Sequence, residues 1–316
     1  MNPLRYIKYT TLLFLFPVLL SGQSFMVMSL KGKVEVQKGT VKKVEWTPLK
    51  IGDQLSNDAV VRTSFASYAK LMMDQKRLVS IDENTTKKLA EFRGGDGRSN
   101  GGASGSLLQY AASQMKKTRE PGQDNVFGAV RGDMDMVSAV FPKHAVMTTE
   151  PLFRWVDPSE EGKYEVLLLD ADFKVIARMQ SGEHALRYMR DELPALDNDR
   201  EYHWRVTRTS DGLESGIETF RILSRDSIAV IVEELGRLDA ELRDMGADDV
   251  TLHLIRGVYF EKKGLLTDAY GEYVETMRLA PEVTEYRDML RALLFQMKLY
   301  NEEELLLKQV EGVDAR

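Results

Sequence analysis

The sequence predicts a multidomain protein in which two all-β modules precede an α-helical segment. Alternation with period 2 runs through residues 27–92 and again through 138–224, whereas from Asp226 the apolar residues recur with helical period. At 316 residues the chain is too long for one typical domain and long enough for two or three. Its 43% hydrophobic and 29% charged content is that of globular modules, which excludes wholesale disorder.

Residues 1–24 read as a secretory signal. Arg5 and Lys8 precede an apolar run from Thr11 to Leu20, and the small or polar Ser21-Gly22-Gln23-Ser24 follows. The run is half the roughly 20 residues a spanning helix needs, so cleavage is expected, with a retained anchor as the alternative. No transmembrane segment is expected after cleavage. The absence of cysteine excludes lipid attachment through an N-terminal Cys, disulfides and thiolate metal sites. An exported protein stabilised by its cores alone suggests the bacterial periplasm or outer surface.

The net charge of −6 is unevenly spread. Residues 25–92 hold 12 Lys/Arg against 8 Asp/Glu, and residues 225–316 hold 12 against 20. Solvated surfaces on separate modules account for this, with steering of a partner as the alternative. So mild a basic surface on an exported chain excludes nucleic acid as a partner.

In the first module, Val34 and Val36 share one strand face, with Lys33 and Glu35 opposite. Trp46-Thr47-Pro48-Leu49 leads to a Gly52-Asp53 turn, where Gly supplies positive φ and Asp bonds local backbone. Strands follow at 59–63, 68–73 and 78–81. This succession (Gly-x-Val, Trp-x-x-Leu-x-x-Gly-Asp, Val-x-Thr, Ala-x-Leu-x-x-Asp, Val-x-Ile) resembles the FecR-type periplasmic domain over about 65 residues. Gly128-Ala129-Val130-Arg131-Gly132 is similar to the element that often closes such domains, which extends the module over 27–137. Residues 93–126 interrupt it. Gly94 to Ser106 is expected to be a flexible loop, and Leu107 to Met115 an amphipathic helix with Lys116 and Lys117 at its end. A binding lid is the alternative for this insertion.

In the second module, 138–224, Phe153 and Trp155 alternate with Arg154, and Tyr164, Val166 and Leu168 share a face. Tyr202, Trp204 and Val206 also share one, leaving His203 and Arg205 outside, and Phe220 and Ile222 close the series. Alternating strands with inward aromatics predict a β-sandwich. The pattern Pro151-x-Phe153-x-Trp155, Tyr-x-Val and Tyr202-x-Trp204-x-Val206 before Phe220 is similar to a fibronectin-type-III-like domain.

The third segment is 225–316. Ile228, Ile231, Val232, Leu235, Leu238 and Leu242 form an apolar stripe behind an Asp226 cap. Gly257, Phe260, Gly264, Ala269, Tyr273 and Pro281 fall at the spacings of a tetratricopeptide repeat, which this segment resembles. His253 stands where a large apolar residue is common, and Thr276 where Ala is. These small and aromatic residues hold helices together and are not contacts to a partner.

No catalytic, cofactor-binding or metal-ligating residue is nominated, and no cofactor is expected. His144, His184, His203 and His253 form no His-x-x-x-His pair and read as structural or surface residues. Gly102-Ala103-Ser104-Gly105 misses the nucleophile elbow by one position, and Gly94-Gly95-Asp96-Gly97 is one isolated fragment of a calcium-binding repeat. The carboxylate pairs Asp133/Asp135, Asp170/Asp172, Asp197/Asp199 and the run Glu302-Glu303-Glu304 read as solvated turns and helix faces. Trp155 and Trp204 belong to a core by alternation, and Trp46 is assigned there as well.

The expectation is a non-enzymatic, exported interaction or scaffold protein of the cell envelope, with periplasmic sensing implied by the FecR resemblance. The FecR-type regulators of sigma factors carry a cytoplasmic segment and a membrane span ahead of this domain; only an export signal is expected here, so direct sigma-factor control is not expected. Its partners are expected to be envelope proteins, bound at a β-edge or on the concave face of the helices. The alternatives are a cell-surface structural or polysaccharide-binding component, marked by exposed aromatics in a groove, and a hydrolase with an inter-domain site. Acidic and imidazole groups meeting in a shielded hollow would argue against the non-catalytic reading.

Overall fold

The computed structural model describes residues 24–38, 45–74, 77–92, 103–117, 136–159 and 162–312. The signal region up to residue 23, the Gly128–Gly132 element, the Gly94–Gly97 fragment and Asp133/Asp135 lie outside them. The β-rich part occupies the first 222 residues and helices follow from Arg225.

The first unit is two antiparallel four-stranded sheets. One has the order β4 (Gln54–Ser56), β1 (Ser24–Lys31), β6 (Tyr68–Met73), β7 (Arg77–Ile81). The other runs β3 (Glu45–Pro48), β2 (Val34–Lys38), β5 (Val60–Thr63), β8 (Thr86–Lys88), followed by a 3₁₀ turn at Leu89–Phe92. Val34, Val36 and Val61 face Val27, Leu71 and Val79 in one core. The chain crosses between sheets at Gly32, whose φ is +67°. A Cβ there would lie 2.3 Å from Ser67 Oγ, the atom that accepts from the Lys33 amide. The Gly52-Asp53 turn forms as expected: Gly52 has φ +80° and Asp53 Oδ2 accepts from the Lys50 amide. Trp46 is only half-buried and lies under the Arg62 guanidinium at 4.0 Å.

β1 and β6 do not alternate. Met28 and Ser29 are buried beside Val27, and Lys70 beside Ala69 and Leu71. This sheet is covered on its second face by helices, so both faces lose water. The covering begins with α1 (Ala103–Lys117), which packs on β1 and on helices of the C-terminal segment. Leu107, Leu108, Ala111, Ala112 and Met115 are all buried. The loop expectation therefore fails for residues 103–106, which are helical. Apolar burial on this scale makes α1 itself part of the core and not a lid.

The second unit packs the path β10 (His144–Val146), β17 (Glu218–Ile222), β15 (Glu201–Arg208), β12 (Tyr164–Asp170), β13 (Val175–Ser181) against a three-stranded sheet. That sheet has the order β14 (Ala185–Arg187), β11 (Leu152–Val156), β9 (Ser138–Phe141). β16 (Leu213–Glu214) pairs with β15. Phe153, Trp155, Tyr164, Trp204, Phe220 and Ile222 fill its core, with the Phe153 and Trp204 rings 5.0 Å apart. His203 does lie outside that core, but it is no surface residue. Phe173 stacks flat on it at 4.2 Å, and Thr219 hydrogen-bonds its Nδ1.

The helical segment holds α2 (Arg225–Asp244), α3 (Asp249–Lys263), α4 (Leu266–Leu279), α5 (Thr284–Gln296) and α6 (Glu303–Gly312). Ser224, not Asp226, caps α2: its side chain accepts from the Ser227 amide, and Asp226 sits in the first turn. Val232 leaves the expected stripe and is 55% exposed, because the spacing Ile228, Ile231, Leu235, Leu238, Leu242 already covers the packed face. Gly257 lets α4 approach α3. A Cβ there would stand 2.4 Å from Tyr273 Cε1, and the Tyr273 hydroxyl is held by Glu261 at 2.8 Å.

α2, α3 and α5 present the face on which α1 lies. Ser104 of α1 hydrogen-bonds Glu241, and Lys262 Nζ sits 4.3 Å above the Tyr110 ring. One hydrophobic core thus runs from the first β-unit through α1 into the helices. At its edge the buried Lys70 ammonium meets Asp248 Oδ2 at 2.7 Å. Asp248 also caps α3, accepting from the Thr251 amide and hydroxyl. Burial opposes its ionisation, but the Lys70 and Thr251 bonds outweigh that and hold its carboxyl below the usual value.

Asp248→Ala should cost about 3 kcal/mol, since it strips a cap and leaves Lys70 buried without its counter-charge. Lys70→Met, which removes the buried charge itself, should cost less in the same urea titration. Gly257→Ala gains about 1 kcal/mol of helix propensity but meets the pinned Tyr273 ring, a clash of about 1–3 kcal/mol. Melting temperature should therefore fall, and Tyr273→Leu in the Gly257→Ala background should recover part of the loss.

Candidate binding cleft between the sandwich and the helices

The outward face of the three-stranded sheet is partly covered by helices. Alternation that turns Phe153 and Trp155 inward turns Leu152 and Arg154 outward, and this face docks on α4 and α6. Arg154 Nη1 donates to Gln309 Oε1 at 3.1 Å, and Gln309 returns a bond to the Trp155 carbonyl. Ser138 donates to Glu302, while Lys143 and Thr267 exchange two hydrogen bonds. The Phe141 ring lies 4.3 Å from that of Tyr270. Glu303, the neighbour of Glu302, is buried and pairs with Arg291 at 3.0 Å. The acidic run at 302–304 is thus partly a packing element and not the solvated face expected of it.

Beside this contact the two walls part and leave a cleft of about 520 Å³. Phe141, Met147, Pro151, Phe260, Tyr270 and Val274 give it a mainly apolar lining, the usual character of a small-ligand pocket. Arg154 and Arg187 stand on the sandwich wall. His253, Asp268, Glu272 and Glu275 stand on the helix wall. Gly271 lies between them on α4, and a Cβ placed there meets no atom within 4 Å.

The helix-wall charges are mostly engaged. Glu272 Oε2 lies 2.7 Å from His253 Nδ1, and Glu275 holds Arg278 through two contacts. Asp268 differs. Its Oδ2 is sealed from solvent without a hydrogen-bond partner, although the residue as a whole is only half-buried. Burial first, and then the neighbouring Glu272 charge, push its carboxyl up to about 7 against the opposing pull of its own amide and that of Met147. The Tyr270 hydroxyl is also enclosed and unpartnered, and burial raises its pKa.

Of the four histidines, His253 alone reaches this cleft. His184 contacts Tyr164 Oη at 2.9 Å in the sandwich, His144 is exposed on β10, and His203 lies under Phe173. Ser104 is on α1, where its hydroxyl donates to Glu241, and does not line this cleft. Among the described residues no cluster of three His, Asp or Glu is placed to hold a metal ion. An imidazole and carboxylates do line an open cleft between modules, all of them on its helix wall. The only trace of it in the chain was His253 standing at a position where the repeat pattern favours an apolar side chain.

No family model and no curated relative matches the chain. Among solved structures it is similar to β-glucuronidase from Ruminococcus gnavus at 20% identity and a TM-score of 0.19, over 28% of this chain and 15% of that one. It is also similar to CopC from Methylosinus trichosporium OB3b at 20% identity and a TM-score of 0.21, over 28% of this chain and 95% of that one. The chain thus spans a small fraction of the glucuronidase. Scores this low carry no argument for fold or activity.

An aspartate with a raised folded pKa binds its proton more tightly folded than unfolded. Stability is therefore lost as pH rises from about 4 towards about 7, and the loss is complete above that. Asp268→Asn should remove this slope. At about pH 8 the variant should be more stable than wild type by on the order of 2 kcal/mol, with the difference closing towards about pH 4 in denaturant titrations.

Proposed function

We propose that this is a non-enzymatic interaction protein of the cell envelope, exported by its N-terminal signal, which recognises its ligand in the cleft between sandwich and helices. The observation that carries the reading is that cleft: mainly apolar, bounded by two docked modules, with polar groups on facing walls. The FecR-like, fibronectin-type-III-like and tetratricopeptide-like resemblances agree with a scaffold that senses or binds. Recognition on the face of α2, α3 and α5 is disfavoured, because α1 already fills it. A β-edge partner remains compatible with the same body, β13 being an edge strand with Val175 exposed.

A second reading, a hydrolase working between modules, draws on Asp268 beside the His253–Glu272 pair. A carboxyl that titrates near neutrality suits a general acid. The lining favours binding: the polar groups are few, and the Glu272 and Glu275 carboxylates are engaged by His253 and Arg278. Glycan binding has the exposed Phe173 ring in its favour, but that ring is in the turn between β12 and β13 and outside the cleft.

Deleting residues 225–316 would strip the second face of β1 and β6, so a cleft-filling point variant is the sounder test. Gly271→Leu adds a side chain where there is open space and should raise helix propensity by about 1 kcal/mol. It should melt no lower than wild type yet lose ligands captured from envelope extracts by the wild-type chain. Retention of every ligand by the folded variant would remove the cleft from the reading. Turnover of chromogenic glycosides or esters that Asp268→Asn abolishes would replace it with the hydrolase.

A further inference from the structure

The charges around the cleft are not balanced in their commitments, and this identifies the kind of ligand. On the helix wall Glu272 is engaged by His253 and Glu275 by Arg278, while Asp268 Oδ2 is sealed beneath the surface. On the sandwich wall, Arg154 is bonded to the neutral amide of Gln309, and Arg187 reaches only the Glu150 carbonyl, at 3.3 Å. Among the described residues neither guanidinium is paired with a carboxylate. Leu152 is paired across the sheet with Arg187 and lies two residues from Arg154, which places both guanidinium groups on the same face of β11 and β14. They flank the bed of Phe141, Met147, Phe260 and Val274.

We propose that the cleft binds an apolar carboxylate: an aromatic or aliphatic body seated on the apolar bed, its anionic end held by Arg187 and Arg154. The proposal rests on the cleft being the recognition site. A guanidinium offers a carboxylate two parallel N–H donors, a geometry an ammonium lacks, and it gains most where water is partly excluded. Arg154 is half-buried and fixed by Gln309, so it meets the ligand with little ordering cost, whereas Arg187 is exposed and free to close on it. The same chemistry is carried by the last residue of a peptide and by a free hydrophobic acid.

Calorimetric titration of the mature chain tests this with three probes: N-acetyl-Ala-Ala-Phe, its C-terminal amide, and 4-phenylbutyrate. The free acids should bind, and the amide at least tenfold more weakly. Arg187→Gln, an exposed position whose loss should not unfold the sandwich, should weaken the peptide acid at least fivefold while leaving the amide unchanged. Gly271→Leu should abolish binding of all three. If the peptide acid binds tenfold more tightly than phenylbutyrate, the source is a chain end; if the two are equal, a free acid suffices. Should acid and amide bind alike and Arg187→Gln change nothing, the carboxylate assignment is overturned while the cleft reading survives. If no probe binds at millimolar concentration, and 1-anilinonaphthalene-8-sulfonate fluoresces equally with wild type and Gly271→Leu, the cleft reading falls as well.

Discussion

The sheet β4-β1-β6-β7 is buried on both faces, and the rest of the molecule is arranged around that constraint. One face meets the second four-stranded sheet, and the other meets α1 and the C-terminal helices. A strand buried twice cannot alternate apolar with polar, so Met28, Ser29, Lys70 and Met72 have all left water. Apolar side chains gain by this, but Lys70 does not unless its charge is answered. Asp248 answers it at 2.7 Å while also capping α3, so one carboxylate ties the sheet to the start of the helix pair. The neighbouring Leu78 amide donates to the Met245 carbonyl at 2.9 Å, which ties β7 to the end of α2 in the same way.

From that anchor the helices extend to the sandwich and set its position. α4 receives Lys143 and Phe141, while Glu302 and α6 receive Ser138 and Arg154. Among the described residues the two β-units share no strand pairing, and the helical segment holds both. The cleft exists because the second contact is incomplete: the sandwich touches α4 near Thr267 and α6 near Gln309, and the walls separate between them. A ligand bound at such a place would be coupled to the angle between the modules, because the two walls belong to different units.

α1 deserves a physical explanation because its surroundings in the chain are rich in Gly and Ser. Its own residues are not: Leu107, Leu108, Ala111, Ala112 and Met115 recur at helical spacing. The alanines are small enough to let α2, α3 and α5 approach, and the leucines fill the remaining space. An amphipathic helix was legible there, yet nothing local said what its apolar face would meet. Burial on that face is decided by segments distant in sequence, as the Ser104–Glu241 contact across 137 residues shows.

Local chemistry was sufficient for the elements themselves. Alternation placed Val34, Val36, Phe153, Trp155, Trp204 and Phe220 inside, Gly52 and Asp53 made their turn, and helical spacing put Phe260, Ala269 and Tyr273 in a helix–helix contact. It erred where a neighbour in sequence was not the neighbour in space: Ser224 and not Asp226 caps α2, and Val232 points out. The cleft could not be read at all, since Arg154, Arg187, His253 and Asp268 come from four separate elements. Periodicity records which face of an element avoids water. Which surface comes to cover that face, and what hollow is left between two such surfaces, depends on packing between distant segments.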